Sequence, residues 1–146
     1  MKTYSAKPSE VVRKWYVIDA SDTTLGRVAT KAASLLIGKG KPMVTGHIDC
    51  GDFVIVINTD KLVVTGAKME DKMYYHHSGY PGGLKETQLK DVIIKDSTRA
   101  IFDAVRGMLP VNKLRDGRLQ RLKLYAGAEH THAPQKPETL NLKGAK

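Results

Sequence analysis

The chain has 146 residues, enough for one domain with a modest core, and its 41% apolar content excludes disorder throughout. Lys and Arg number 24 against 15 Asp and Glu, a formal net charge of +9, and so large an excess on a small domain points to a polyanionic partner. A membrane partner is not expected, because no apolar run approaches the roughly 20 residues of a spanning helix and the N-terminus has no secretory core. The single cysteine, Cys50, has no intramolecular partner, which suits a reducing cytoplasm.

Residues 1–14 read as an extended basic arm broken by Pro8. Trp15-Tyr16-Val17-Ile18 is a short apolar run that predicts a buried strand. Ser21 or Asp22 supplies a helix cap, and Leu25, Val28, Ala29, Ala32, Leu35 and Leu36 then fall on one helical face. Gly38 and Gly40 stop that helix, and Pro42 prevents its early resumption. Phe53-Val54-Ile55-Val56-Ile57 is apolar throughout, the habit of a parallel strand covered on both faces. Leu62-Val63-Val64 is a candidate third strand. Strand, helix and strand at this spacing form one right-handed crossover unit.

Residues 72–90 differ in kind. Tyr74, Tyr75, His76 and His77 precede Ser78-Gly79-Tyr80-Pro81-Gly82-Gly83, which predicts a protruding loop or irregular hairpin. A second helix runs from Ser97 or Thr98 to Leu109, ending at Pro110. After a basic connection, Leu122-Lys123-Leu124-Tyr125 alternates as a strand does. Residues 127–146 read as an extended, partly mobile tail ending in Lys143 and Lys146. The expected organisation is the arm at 1–14, a single α/β domain at 15–126 and this tail.

The charge is unevenly spread. Residues 106–123 hold Arg106, Lys113, Arg115, Arg118, Arg121 and Lys123 against Asp116 alone, whereas residues 49–60 hold three acids and no base. RNA presents phosphates, 2′-hydroxyls and unstacked bases, so cations interleaved with aromatic rings and glycines fit it. Candidate RNA contacts are therefore Lys2, Lys7, Arg13 and Lys14 in the arm, and Lys39 and Lys41 after the first helix. Lys72, Tyr74, Tyr75, His76, His77, Tyr80 and Lys85 belong to the hairpin, where Gly79, Gly82 and Gly83 would let backbone amides approach a phosphate. Arg106, Lys113, Arg115, Arg118, Arg121 and Lys123 follow, with His130 and His132 in the tail.

Rival chemistries fit poorly. Adjacent strand histidines such as His76 and His77 point to opposite faces and cannot chelate one ion, so no metal is expected. Gly38-Lys39-Gly40-Lys41 follows a helix instead of leading into one, which is the wrong placement for a phosphate loop, and no cofactor is expected. Asp49 and Asp52 flank Cys50 and disfavour a thiolate, and no catalytic set suggests itself, so the chain is not read as an enzyme.

The strings KTYSAKPSEVVRKWYVIDASDTTLGR, HIDCGDFVIVIN, YYHHSGYPGGLKE, AVRGMLPVNKLRDGR and LKLYAGAEHTHAPQKPE occur in this order over nearly the whole chain. Together they resemble the bacterial form of the large-subunit ribosomal protein thirteen (L-thirteen) family, departing from its expected pattern at Gly46 and Cys50. The resemblance implies a three-layer α/β/α domain with a mostly parallel four-stranded sheet. It also implies a monomeric component that binds 23S rRNA and neighbouring large-subunit proteins and enters assembly early. A regulator binding its own mRNA is the alternative, with a nucleotide-dependent enzyme behind it.

Overall fold

The computed structural model describes residues 3–142, so Lys2, Lys143 and Lys146 lie outside the described residues. Its centre is a four-stranded parallel sheet built from β1 (Trp15–Asp19), β2 (Phe53–Ile57), β5 (Leu122–Leu124) and β6 (Glu138–Leu140), in the order β5-β2-β1-β6. The remaining strands among the described residues, β3 (Met73–His77) and β4 (Leu84–Gln88), pair with each other as an antiparallel hairpin. The helices are α1 (Leu25–Ile37), α2 (Lys68–Asp71), α3 (Leu89–Lys95), α4 (Ser97–Met108) and α5 (Leu114–Gln120). This is the α/β class expected, with the parallel four-stranded sheet.

Handedness explains which face each connection covers. From β1 to β2 and from β2 to β5 the chain steps the same way across the sheet, so right-handed crossovers put the intervening helices on one face. From β5 to β6 it steps back across all the strands, and residues 126–137 must cross the opposite face. Side-chain alternation agrees. Ile18, Val54, Val56 and Leu122 meet Val28, Ala32 and Leu36 of α1 and Ile101 and Val105 of α4 in one cluster. Val17 and Ile55 point the other way and are also buried. Each fully buried aliphatic side chain contributes about 1.5–3 kcal/mol by leaving water.

Several elements depart from expectation. Leu62-Val63-Val64 is not a strand. Val63 makes one isolated bridge to Thr24, its carbonyl accepting from the Leu25 amide at 3.0 Å, so the segment braces the start of α1 outside the sheet. The fourth strand is instead β6, inside the stretch read as a partly mobile tail. Its Glu-Thr-Leu sequence carries no strand signal because it lies at the sheet edge, with only Leu140 half-buried. Neither Ser21 nor Asp22 caps α1. The cap position is Thr24, without a side-chain bond, while the Asp19 carboxylate accepts from the Ser21 amide and hydroxyl at 2.9 and 2.7 Å to hold the preceding turn.

The expected irregular hairpin is regularly paired over five positions, from Met73 opposite Gln88 to His77 opposite Leu84. Three helices went unforeseen. α2 and α3 are short, and α5 hides in a polar, glycine-interrupted string, LRDGRLQ, that reads as a connection. The second helix starts where expected, with Asp96 as its cap, accepting from the Thr98 amide at 3.0 Å.

The end of α1 and the strand-entry loop at residues 49–52 meet backbone to backbone. Gly38 takes the left-handed conformation (φ 84°) that ends the helix. The Asp52 amide donates to the Leu35 carbonyl at 3.0 Å, and a Cβ on Gly51 would overlap the Leu36 carbonyl. Substituting Gly51→Ala is therefore expected to cost about 3 kcal/mol, the upper end of ordinary overpacking. Gly117→Ala, on the open face of α5, should instead add about 0.5–1 kcal/mol. Urea unfolding of the two variants checks the opposite signs.

Candidate RNA interface

The close approach at residues 49–52 sorts the candidate cations into two groups. Asp49 receives a two-pronged ion pair from Arg121: Nη1 bonds Oδ2, and Nη2 bonds Oδ1 at 2.7 Å. Arg121 also donates to the carbonyls of Leu36 and Gly117, both at 3.2 Å, tying α5 to the end of α1. Arg13 donates to the carbonyls of Gly51 at 2.7 Å and Asp49 at 3.1 Å. Arg118 Nε stands 3.7 Å from Asp49 Oδ1. One carboxylate thus gathers three guanidinium groups from the arm and from α5 and its end.

Asp52 does the same for ammonium and amide. Its Oδ1 accepts from Lys41 Nζ at 2.6 Å and from the Lys14 amide at 2.8 Å. Lys41 also donates to the carbonyls of Val12 at 2.8 Å and Cys50 at 2.9 Å. The Gly38-Lys39-Gly40-Lys41 run is therefore a helix stop followed by an internal clamp.

Two candidate residues need correction on this ground. Arg118 and Arg121 are buried, at 3% and 8% exposure, with their charged ends turned toward Asp49, so in this structure they build the fold and do not face a partner. Arg13 and Lys41 are half-buried and already bonded inward. The acids responsible were visible as a base-free stretch, but nothing in the sequence says which distant cations they attract.

The outward group is different. Lys7, Lys14, Lys39, Lys72, Lys85, Arg106 and Lys113 are exposed, and Arg115 and Lys123 are half-buried. Lys7 and Lys14 make long surface pairs, to Glu10 at 3.9 Å and Glu138 at 3.7 Å, and such pairs are weak.

The hairpin carries rings on both of its faces. Tyr75 and His77 lie on one face and Tyr74 and His76 on the other, with Lys85 opposite His76. Tyr80 is 76% exposed at the tip and Tyr75 65%. The turn glycines serve a different purpose from the one expected. Gly79 and Gly82 adopt positive φ, the Gly79 amide donates to His77 Nδ1 at 2.9 Å, and the Gly83 amide donates to the Tyr80 carbonyl at 2.9 Å. Those two amides shape the loop and are taken up within it.

Crossing the face opposite the helices, the chain lays His132 on Trp15, with ring centroids 5.0 Å apart, and Trp15 stacks on Phe53 at 4.1 Å. Tyr125 approaches His132 edge-on at 6.0 Å and donates or accepts a hydrogen bond with Thr131 at 3.0 Å. His130 and His132 are half-buried and bonded to each other through the His132 amide, at 3.2 Å. Their first task is to seat the crossing on the sheet. Among the described residues, no group of three or more His, Cys, Asp or Glu side chains is placed to hold a metal ion, and no helix is long and apolar enough to cross a membrane.

The family model described as ribosomal protein L13 matches residues 13–131. The chain belongs to the ribosomal protein L13 family. It is 56% identical over 144 residues to the large ribosomal subunit protein uL13 of Syntrophomonas wolfei, covering 99% of this chain and 100% of that one. The uL13 proteins of Clostridioides difficile and Neisseria gonorrhoeae are 54% and 57% identical over 143 residues, each over 98% of this chain and the whole of theirs. In this L13-family chain the matched segment runs from Arg13 to Thr131 and so takes in Asp49, Asp52, the hairpin and α5, while β6 lies beyond it.

The ion-pair cluster has a pH signature. Burial would raise the Asp49 carboxyl, but the hydrogen bonds and charge of Arg121, with the Gly51 amide and Arg13, outweigh it and hold the group below its ordinary value. A folded-state value below the unfolded one means stability that is complete above about pH 4 and lost as pH falls through the folded value. Urea midpoints of the free protein between pH 7 and 3 should therefore drop below about pH 4, and Asp49→Asn should flatten that drop while starting from a lower neutral value. Arg121→Met should lose about 3–5 kcal/mol at neutral pH, because Asp49, in a shielded site, loses both guanidinium hydrogen bonds and keeps only the looser Arg13 and Arg118 at 3.9 and 3.7 Å.

Proposed function

We propose that this protein is a structural constituent of the large ribosomal subunit that binds 23S rRNA and supports early subunit assembly. The observation that carries the reading is the segregation of its cations. Those nearest Asp49 and Asp52 are bonded inward, while Lys7, Lys14, Lys39, Lys72, Lys85, Arg106 and Lys113 stay exposed, as do Tyr75 and Tyr80 of the hairpin. Membership of a family whose named relatives are large ribosomal subunit proteins supports the same reading.

The proposed contacts are Lys2, Lys7, Lys14, Lys39, Lys72, Tyr74, Tyr75, His76, His77, Tyr80, Lys85, Arg106, Lys113, Arg115 and Lys123. Arg13, Lys41, His130 and His132 act from the edge of the packed core. The arm at 1–14, the domain at 15–126 with its protrusion at 72–90, and the segment at 127–146 each bring part of this surface to RNA. Phosphate contacts supply most of the affinity, since each neutralised phosphate releases condensed counterions, and the shape of the folded RNA supplies selectivity. The protein performs no catalysis. It acts as a monomer among neighbouring large-subunit proteins in the cytoplasm.

Sucrose-gradient sedimentation of a cell lysate tests the proposal. The protein is expected to co-migrate with large subunits and assembled ribosomes and to be stripped only by strong salt. Recovery at the top of the gradient at low salt would overturn it. Competition between fragments of rRNA and of the protein's own mRNA separates the structural role from message regulation: preference for the mRNA fragment would favour the regulator.

A further inference from the structure

A cleft of about 410 Å³ opens between the first turn of α1, the second half of α4 and the base of the hairpin. That volume is within the range of about 300–1,000 Å³ usual for small-ligand sites. Its walls are of three kinds. Leu25 and Met108 supply accessible apolar surface with Leu89 buried behind them, Tyr74 supplies a half-buried ring, and Lys68 and Lys72 supply positive charge, Lys72 Nζ standing over the Tyr74 ring at 5.5 Å from its centroid. One acid, Asp103 on α4, also lines it and has a side chain only 28% exposed.

An apolar wall, an aromatic ring, two cations and one acceptor carboxylate are the complement of a single nucleotide: a flat base to cover, a phosphate to neutralise and an edge to read. The acid chooses the base. A carboxylate accepts two parallel hydrogen bonds but donates none. Guanine alone presents two adjacent donors, N1–H and N2–H, on its pairing edge. Adenine and cytosine each set a ring-nitrogen acceptor beside their amino group, and uracil flanks its one N–H with two carbonyls, so each would put a lone pair against Asp103. Arg99 does not close the acid off, since it reaches only Oδ2, at 3.6 Å, and is itself 67% exposed. Burial, and then the Asp103 charge, lift the Tyr74 phenol above its ordinary value, which agrees with the ring and the acid facing the same space.

Building on the RNA-binding reading, we infer that this cleft receives one unpaired, extruded guanine nucleotide of the bound RNA. Its base lies against Tyr74, its pairing edge is read by Asp103, and its phosphate lies between Lys68 and Lys72. The RNA contact would then have one base-specific point on an otherwise phosphate-and-shape surface.

The test is titration of the ¹⁵N-labelled full chain, followed by amide spectra, with GMP, AMP, CMP, UMP and inorganic phosphate. GMP is expected to give saturable shifts at Gly26, Thr65, Lys72, Tyr74 and Gly107, with a dissociation constant at least about fivefold below the other three nucleotides. Asp103→Asn, whose folding the same spectra verify, should abolish that preference, and saturating rRNA fragment should abolish the GMP shifts. Equal response to all four nucleotides, shifts reproduced by phosphate alone, or a preference that survives Asp103→Asn would overturn the inference. GMP binding undiminished in the RNA complex would also overturn it, by assigning the cleft to a free nucleotide. The rRNA fragment's own affinity is read in parallel. If it binds tightly with steep salt dependence while GMP gives no shifts, the guanine site alone is wrong; if the fragment does not bind, the RNA reading itself falls.

Discussion

A carboxylate shielded from water by its own protein must be neutralised, and in this chain Asp49 does so by drawing in arginines from both ends of the sequence. Arg13 comes from the arm, Arg118 from α5 and Arg121 from the turn that follows it, and the Arg121 guanidinium also bonds the Leu36 carbonyl at the end of α1. The entry into β1, the end of α1, the entry into β2 and the approach to β5 are thereby fixed to one point. Asp52, beside it, clamps the same loop through Lys41. Desolvating these ions costs free energy that the pairing offsets, so the cluster stabilises little in net terms, but breaking the hydrogen-bonded Arg121–Asp49 pair is severe. Its value is positional. With this corner fixed, the cations left over can only point outward.

Topology decides what those outward cations share a surface with. Two right-handed steps in one direction place all the long helices on one face of the sheet, and the long return step carries residues 126–137 over the other. The hairpin belongs to neither layer. Among the described residues its two strands pair only with each other and bury little, apart from Leu89 at its base and the half-buried Met73 and Tyr74. A two-stranded ribbon of that kind is marginal in water by itself, so its rings and lysines are held where a partner can complete them.

The sequence disclosed the elements whose burial leaves a period. The first helix, with its apolar stripe from Leu25 to Leu36, the five apolar residues of β2, and α4 between Asp96 and Pro110 stand where the pattern places them. Short elements defined by tertiary packing left no such trace. β6 is three residues of ordinary polarity that become a strand because β1 has an open edge, and α5 is a glycine-interrupted string that becomes a helix because Arg118 and Arg121 are pulled inward. The candidate interface is legible in the sequence as chemistry, in its surplus of cations and rings, but not as geometry. Charge counting cannot distinguish Arg121, bonded to Asp49 across 72 positions, from Lys113, which is exposed to solvent. Asp103 gave no signal either, since an acid on an amphipathic helix reads as solvated surface until Tyr74 and Lys72 are brought beside it.

On the proposed reading, the basic residues are divided between an inner set that builds the fold and an outer set that meets RNA. The salt dependence of binding to a large-subunit rRNA fragment tests it most directly, because the slope of log affinity against log salt counts the phosphates neutralised. Replacing Lys85, Arg106 and Lys113 together by glutamine should reduce the slope by about 2, at roughly 0.7–0.9 for each phosphate no longer neutralised. Arg121→Lys, assayed where circular dichroism shows the protein folded, should leave the slope unchanged. If instead the outer triple variant keeps the full slope while Arg121→Lys lowers it, the division of cations described for this structure is wrong.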